Sequence, residues 1–489
     1  MTVFAYDHQP APRALFRLAR IAGATAAFIG MLGLQACQQP GGLGGGNDDL
    51  ALAALKAAPE HGLPAERFHA EQIERLLQSG RRAEGERQLK AALVDYARAQ
   101  HGLTIPKSAF PDDWGLKPAA YDAEAELGAA LEAGKLEAWL KAQPTPLPAY
   151  AELRKAFLAY LKIHAAGGWP RVAPVALTAG AAGPQVAALR QRLAFEDAEL
   201  GRGPVDTPAD AGLVAALQRF QAAHGLPTSG RLDADTVAQL NVPADSRAAQ
   251  IRASMERLRW LPRDEPATRI DVNTAAAETD YVVDGQSVMH MLSASGRPGG
   301  DETPMLKSAI SAIVLNPPWN VPDGIAEEEI LPKGEAYLQE MGFAMKDGRL
   351  VQQPGPQAAL GQVKFDFDNP YAVYLHDTPA KALFGLPERH RSHGCVRVQN
   401  ALQFAAMLAD QDGVLPQFQK ALASGKESYV KLKTSIPVRL LYHTAFWDGS
   451  RIQFRPDVYG WDDNVAMALG LVRGAPRKAY KSQSEDIGP

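Results

Sequence analysis

The sequence predicts a multidomain α+β protein: an N-terminal helical block, a compact three-helix unit, and a mostly β domain with a helical insertion. Three observations lead there. The chain has 489 residues, enough for several domains of roughly 100–200 residues each. Apolar residues recur at helical spacing as far as about residue 262. Beyond that point the period falls to two, the period of strands.

Composition narrows the function classes. Hydrophobic residues make up 46% and charged residues 22%, ordinary for a soluble globular protein. A formal net charge of −4 gives no global basic field, which excludes nucleic acid as the default partner. Two cysteines, Cys37 and Cys395, exclude a disulfide scaffold. Glycine and proline are spread along the chain rather than concentrated in a fibrous or low-complexity tract.

At the N-terminus, Arg13, Arg17 and Arg20 precede an apolar run, Ile21 to Leu34. Basic segment, short apolar segment and small residues are the order of a secretory signal, here 1–36. The run is short for a membrane span, which takes about 20 residues. Leu34-Gln35-Ala36-Cys37 resembles a bacterial lipoprotein lipobox. That resemblance implies that Cys37 is acylated, becomes the mature N-terminus and anchors the chain to a membrane. Gln38 stands where an aspartate usually retains such proteins at the inner membrane, so the resemblance implies the periplasmic face of the outer membrane. Residues 37–50, rich in glycine, read as a tether.

Residues 51–170 are rich in Ala, Glu, Leu, Lys and Arg. Ile73, Leu76 and Leu77 lie on one helix face, as do Leu89, Leu93 and Tyr96. Trp139, Leu140, Tyr150, Leu153, Phe157, Tyr160 and Leu161 continue the pattern, and Pro144, Pro146 and Pro148 divide it into two helical blocks. This is a helical scaffold whose charges read as solvated faces, and no chemistry is assigned to it.

The compact unit follows at 175–243. Val186, Leu189 and Leu193 stripe one helix, and Leu213, Leu217 and Phe220 a second. Gly225 suits a left-handed cap after it. A third short helix ends at Leu240-Asn241. The run Phe220-Gln221-x-x-His224-Gly225-Leu226, with Gly230, Thr236 and Leu240-Asn241, resembles the three-helix peptidoglycan-binding module. His224 reads as a packed cap histidine rather than a ligand.

Ile251 to Pro262 reads as a linker helix into the mostly β domain, 268–446. Strands are expected at Arg269–Asn273, around Tyr281–Gly285 with a turn at Asp284-Gly285, at Ile310–Leu315, Val363–Phe367, Val373–His376 and Val438–Tyr442. Residues 323–352 break the β pattern, and Glu327–Leu331 and Ala336–Leu338 look helical. We expect an insertion there, lying over a site. Ala401–Leu408 reads as a helix, and 447–489 as a C-terminal extension whose end, from about Arg477, is polar.

The chemistry concentrates between His376 and Arg397. His376-Asp377-Thr378-Pro379 is followed by Ser392-His393-Gly394-Cys395-Val396-Arg397, with fifteen residues between His376 and Ser392. A thiol becomes a strong nucleophile when a nearby imidazole accepts its proton. Strand alternation puts His376 on the face of Tyr374. Gly394 lets the backbone turn tightly and lets amide groups converge near the sulfur, as a tetrahedral oxyanion requires. Arg397 projects to the same side, to bind a carboxylate or fix the loop. A backbone carbonyl such as that of Asp377 would hold the His376 tautomer that offers a basic nitrogen.

These residues resemble the L,D-transpeptidase family with its YkuD-type catalytic domain. Thr303-Pro304, Asn316-Pro317-Pro318-Trp319-Asn320-Val321-Pro322, Pro354-Gly355-Pro356 and Leu360-Gly361 extend the likeness to the lid-bearing periplasmic branch that carries a peptidoglycan-binding module. The resemblance implies Cys395 as nucleophile and His376 as general acid/base. His393, Gly394 and Arg397 would form the oxyanion hole or support substrate, with His393 shaping the site. Tyr374, Ser392 and Trp319 would line the substrate site. The implied partners are peptidoglycan stem peptides and, as inhibitors, β-lactams of the carbapenem type. The implied reaction attacks the bond between diaminopimelate and D-Ala of a tetrapeptide stem and passes the acyl group to a second diaminopimelate, giving a 3→3 cross-link. Water, a lipoprotein lysine or a free D-amino acid would be alternative acceptors.

Two other readings compete. His376, His390, His393 and Cys395 are all possible zinc ligands, but glycine beside the thiol and the lack of a second thiol count against a metal, and no cofactor is expected. A non-catalytic wall-binding lipoprotein would leave Cys395 structural, yet its Ser-His and Arg neighbours are too polar for a plain core strand.

Overall fold

The computed structural model describes Leu43 and residues 46–471. The expected signal segment, Cys37 and the chain end beyond 471 lie outside the described residues.

The helical stripes bury as their spacing requires, except at Leu161, which is exposed. Ile73, Leu77, Leu89, Leu93 and Tyr96, from helices Ala70–Leu77 and Arg82–Gln100, share a core with Leu127 and Trp139. The proline-rich stretch then separates this core from a second one. Pro148, at the first turn of helix Pro148–Ala165, is tolerated because that turn needs no N–H donor. Tyr150, Leu153, Phe157 and Tyr160 of this helix pack against helix Ala244–Arg259 and against Tyr442, Tyr459 and Trp461. The helix therefore serves as the bed of the β domain rather than as part of the N-terminal bundle. Residues read as a C-terminal extension join the same bed through hairpin Ala445–Trp447/Ile452–Phe454 and helix Trp461–Ala468.

The three-helix unit comprises Pro184–Ala194, Ala211–Ala223 and Ala234–Leu240 around Val186, Leu189, Leu213, Leu217 and Phe220. Asp210 and Asp233 cap the second and third helices by accepting from the Leu213 and Thr236 amides. His224 is buried, stacked on Phe220, with Nδ1 2.8 Å from the Phe220 carbonyl. It is a packed cap, as the sequence suggests.

The β domain contains twelve strands: β1 Arg269–Asn273, β2 Glu278–Val283, β3 Gln286–Gly296, β4 Leu306–Leu315, β5 Trp319–Asn320, β6 Phe343–Lys346, β7 Arg349–Gln352, β8 Val363–Phe367, β9 Leu375–His376, β10 His390–Ser392, β11 Val396–Val398 and β12 Ser428–Leu441. The main sheet runs β10-β3-β11-β9-β8-β4-β12-β1-β2, and β2 also pairs with β3, so the sheet closes on itself. Closure removes sheet edges and encloses a core. Leu375, Val396, Phe365 and Phe404 fill it, the last from helix Ala401–Gln411. Truncating a fully buried phenylalanine such as Phe404 to alanine costs about 3–5 kcal/mol.

The insertion differs from the sequence expectation in one respect. Its first half is helical, from Asp323–Ile325 to Glu335–Glu340. Its second half is strand: β6 and β7 form a hairpin that adds β5 to make a separate three-stranded sheet. Asp347 and Gly348 both take positive φ at the hairpin turn, 50° and 78°, the geometry that Asp-Gly favours.

Candidate active site

Two short parallel strands build the site. β9 and β11 pair with Val396 opposite Leu375 and Arg397 opposite His376, and the Val396 amide donates to the Tyr374 carbonyl at 3.0 Å. Side chains alternate across a strand, so Leu375 and Val396 enter the barrel core. Tyr374, His376, Cys395 and Arg397 are left together on the other face. β8 continues that face on the far side of β9, with Lys364 opposite His376.

The environment of His376 fixes its state. Burial, then the charge of Arg397, push its pKa down from 6.5 to about 3, against the bond to the Asp377 carbonyl. The ring is therefore neutral and carries one proton. Nδ1 lies 2.5 Å from the Asp377 carbonyl oxygen, which only accepts, so the proton is on Nδ1 and the free lone pair on Nε2. The Asp377 carboxylate is itself held by the Gln362 amide, at 3.0 Å, and by Lys381. Gly361 passes directly beneath it: a Cβ there would come within 2.3 Å of the carboxylate oxygen. Any side chain at 361 would displace Asp377 and with it the carbonyl that orients His376.

Cys395 is half-buried and reduced. Burial raises its thiol pKa, opposed by hydrogen bonds from the Tyr374 backbone and hydroxyl and by the charges of Arg397 and Lys364. The Tyr374 hydroxyl in turn accepts from the Trp319 indole. Trp319 is only 6% exposed and packs among Val321, Ile330, Phe343 and Leu360. It reaches the thiol through Tyr374, because its one donor is already committed there.

The loop before Cys395 is tied by its carbonyls. Gly394 adopts φ 102°, a conformation open to glycine. Thr303 Oγ1 donates to the Gly394 carbonyl at 2.9 Å and accepts from the Gly296 amide at 2.8 Å. Ser392 Oγ donates to the Cys395 carbonyl at 2.5 Å. In a trans peptide the N–H points opposite the carbonyl, so anchoring the Gly394 carbonyl on Thr303 aims the Cys395 amide the other way. Ser392 is buried and spends its hydroxyl on this loop. Thr303 was visible in the sequence as Thr303-Pro304 but carried no assigned role.

The remaining residues separate by reach. His393 Nε2 is 2.8 Å from Glu329 Oε1, and Glu329 also accepts from Arg297 at 3.1 Å. Burial pushes the Glu329 carboxyl up, but these two partners outweigh it and leave it below the usual carboxylate range. Glu329 belongs to the helical half of the insertion, so the pair joins the insertion to the cysteine loop. His390 sits apart, with Nδ1 2.7 Å from Glu388 and Nε2 2.8 Å from the Thr274 carbonyl. Arg397 shares the face but is 1% exposed, covered by the surrounding fold.

Three family models match the chain. Residues 44–157 match a scaffold domain, and 182–240 a family described as "Putative peptidoglycan binding domain". Residues 267–417, which hold every residue of the site, match the L,D-transpeptidase catalytic domain, YkuD. The chain carries a YkuD-type L,D-transpeptidase catalytic domain together with a peptidoglycan-binding domain. A curated relative from Haemophilus influenzae, named "Putative L,D-transpeptidase", is 30% identical over 243 residues, which cover 45% of this chain and 49% of the relative. The match thus spans about half the relative's length. Among solved structures, an L,D-transpeptidase from Xylanimonas cellulosilytica is 19% identical, with a TM-score of 0.21, over 55% of this chain and 98% of its own. One from Stackebrandtia nassauensis is 15% identical, with a TM-score of 0.23, over 55% and 97%. In this L,D-transpeptidase domain the motif from His376 to Arg397 runs from β9 through β10 to β11, with Cys395 in the loop that leads into the last.

Proposed function

We propose that the protein forms 3→3 cross-links between diaminopimelate residues of peptidoglycan through a thioester on Cys395. The observation that carries this reading is the parallel pairing of β9 with β11, which sets thiol, tyrosine and imidazole on one face. Sγ attacks the carbonyl between diaminopimelate and the terminal D-Ala of a tetrapeptide stem, and His376 Nε2 takes the thiol proton as the C–S bond forms. Transfer during attack suits a pair that rests as neutral thiol and neutral imidazole. The oxyanion is met by the amides around Gly394 and Cys395, of which the Cys395 amide is oriented by the Thr303 anchor on the Gly394 carbonyl. Collapse expels D-Ala, whose nitrogen takes the proton back from His376 and leaves the thioester. The side-chain amine of a second diaminopimelate then attacks, gives its proton to Nε2, and the sulfur leaves and is reprotonated.

The peptidoglycan-binding domain would hold the enzyme on its polymeric substrate. By the lipobox reading, acylated Cys37 would keep it at the periplasmic face of the outer membrane. Terminal mass analysis of the mature protein tests that location, and cleavage elsewhere would overturn it.

The reaction is tested by incubating the purified protein with sacculi rich in tetrapeptide stems and analysing the muropeptides. The 3→3 dimer is expected from wild type and none from Cys395→Ala. Hydrolysed tripeptide alone would make the enzyme an L,D-carboxypeptidase. A carbapenem should add its mass to wild type and not to the variant, and an adduct on both would overturn Cys395 as nucleophile.

A further inference from the structure

We infer that Lys364 is the specificity residue of the acyl-transfer site, reading the carboxylate of the D-α-amino acid that leaves or attacks the thioester. This rests on the reaction proposed above. The order of strands across the site is β11, β9, β8. Cys395 at the entry to β11, His376 in β9 and Lys364 in β8 therefore stand on one face, one strand apart each at about 4.8 Å, with the thiol two residues off the rung that His376 and Lys364 share. Lys364 stands opposite His376 in register. Its Nζ lies 4.8 Å from the centre of the Tyr374 ring and 3.3 Å from Asp366 Oδ1.

The chemistry dictates where the leaving residue lies. Its nitrogen must take a proton from His376, so the residue extends from the carbonyl over β9, away from β11. D-Ala carries its carboxylate one carbon beyond that nitrogen, and the next strand in that direction is β8. The other nearby cations do not answer this need. Arg397 is buried. Arg297 is engaged by Asp301 and Glu329, and Lys381 by Asp377. Lys364 is reachable, its side chain 22% exposed. Its partner Asp366 is 44% exposed, so that pair is weak and exchangeable for a substrate carboxylate.

The same residue serves the second half-reaction. Each amine of 2,6-diaminopimelate is α to a carboxylate, and the attacking amine is at the D centre. The acceptor thus presents the same D-α-amino carboxylate as the D-Ala that departed, and attack retraces the path of departure. Lys364 would favour acceptors with a carboxylate beside the amine over simple amines such as a lysine side chain. It would also favour stems that end one residue beyond the scissile bond.

The test uses the full protein and a tetrapeptide donor ending in D-Ala or in D-alanine amide, with D-methionine or D-methionine amide as acceptor. Wild type should prefer each carboxylate over its amide by roughly ten- to a hundredfold in kcat/KM, the range of a hydrogen bond to a charged group. Lys364→Met should erase both preferences by lowering kcat/KM for the carboxylate substrates alone, and Lys364→Arg should restore much of them. A Lys364→Met enzyme that keeps the preference, or loses carboxylate and amide substrates equally, overturns the inference. A wild type that is acylated by a carbapenem but turns over no tetrapeptide overturns the proposed reaction and this inference with it.

Discussion

His376 and Arg397 face each other across one rung of a parallel strand pair. Both are buried, at 2% and 1% exposure. A guanidinium beside an imidazole in a site with little water makes a second positive charge costly, and burial alone already disfavours it. The imidazole is thereby kept neutral, and so a base, down to about pH 3. The Asp377 carbonyl decides which nitrogen is free.

The pH dependence of acylation follows from that pairing. The base is lost only when His376 takes a second proton, near pH 3. Its rate with a carbapenem, measured per folded molecule, should stay flat from pH 8 down to pH 5. The alkaline rise, where free thiolate forms, should lie above the ordinary thiol value of 9.0, because burial raises Cys395. An acid limb centred near 6.5 would mean that His376 is exposed to solvent in the working enzyme.

Tyr374→Phe tests the hydroxyl between Trp319 and the thiol. That hydroxyl lowers the thiol pKa against the burial that raises it, so its loss leaves the sulfur harder to deprotonate. Acylation should slow about fivefold, the equivalent of roughly 1 kcal/mol for one hydrogen bond, with the melting midpoint within about two degrees of wild type. Trp319→Phe should give the same direction at smaller size, because it acts through Tyr374. Equal rates in wild type and Tyr374→Phe would leave the hydroxyl as packing only.

Much of this site is local in sequence and was legible there. Strand alternation alone places Tyr374 with His376 and Cys395 with Arg397, and the Asp377 carbonyl needs only its neighbour. What brings the two pairs together is a parallel rung between segments twenty residues apart, and no periodicity encodes pairing partners. Thr303, Glu329 and Lys364 were not assigned roles for the same reason: each meets the site through tertiary contact. Lys364 reads in sequence as the polar residue of a strand, and only the neighbouring β9 gives it a function. The β6–β7 hairpin is a different case. Phe343-Ala344-Met345-Lys346-Asp347-Gly348-Arg349-Leu350 carries an Asp-Gly turn signal, which the helical residues just before it obscured. Arg397 shows the converse limit, since sequence places it on the face but does not reveal that the fold covers it.

Acid stability is a second consequence of buried neutral imidazoles. His61, His224, His376 and His443 are all buried, with pKa values pushed from 6.5 to about 3, in each case chiefly by burial. The folded state therefore binds fewer protons than the unfolded one between those values. Stability is complete above pH 6.5 and is lost as pH falls below it, by up to about 1.4 kcal/mol per unit for each such histidine. Thermal unfolding should show a midpoint several degrees lower at pH 5 than at pH 7. His443→Phe, which removes an imidazole among Arg257 and Arg439, should flatten part of that slope, and an unchanged slope would show that His443 is hydrated.

The bond between Glu329 and His393 makes the insertion's mobility depend on one carboxylate. Glu329 holds both His393 and Arg297, and their combined pull keeps its carboxyl below the usual range. The contact should therefore be fully present above the ordinary glutamate value of 4.5 and fade only as pH falls through the lower folded value. Glu329 is a third exposed, so screening limits the link to about 0.5–1 kcal/mol. Glu329→Gln should thus speed backbone hydrogen exchange severalfold across 323–342 at pH 7, while exchange in β8 and β12 stays as in wild type. If access to the thiol is limited by this segment, the same variant will react faster with a bulky maleimide than wild type and equally fast with iodoacetamide. Unchanged exchange in 323–342 would mean that the apolar contacts of Ile330 and Phe343 hold the insertion without the ion pair.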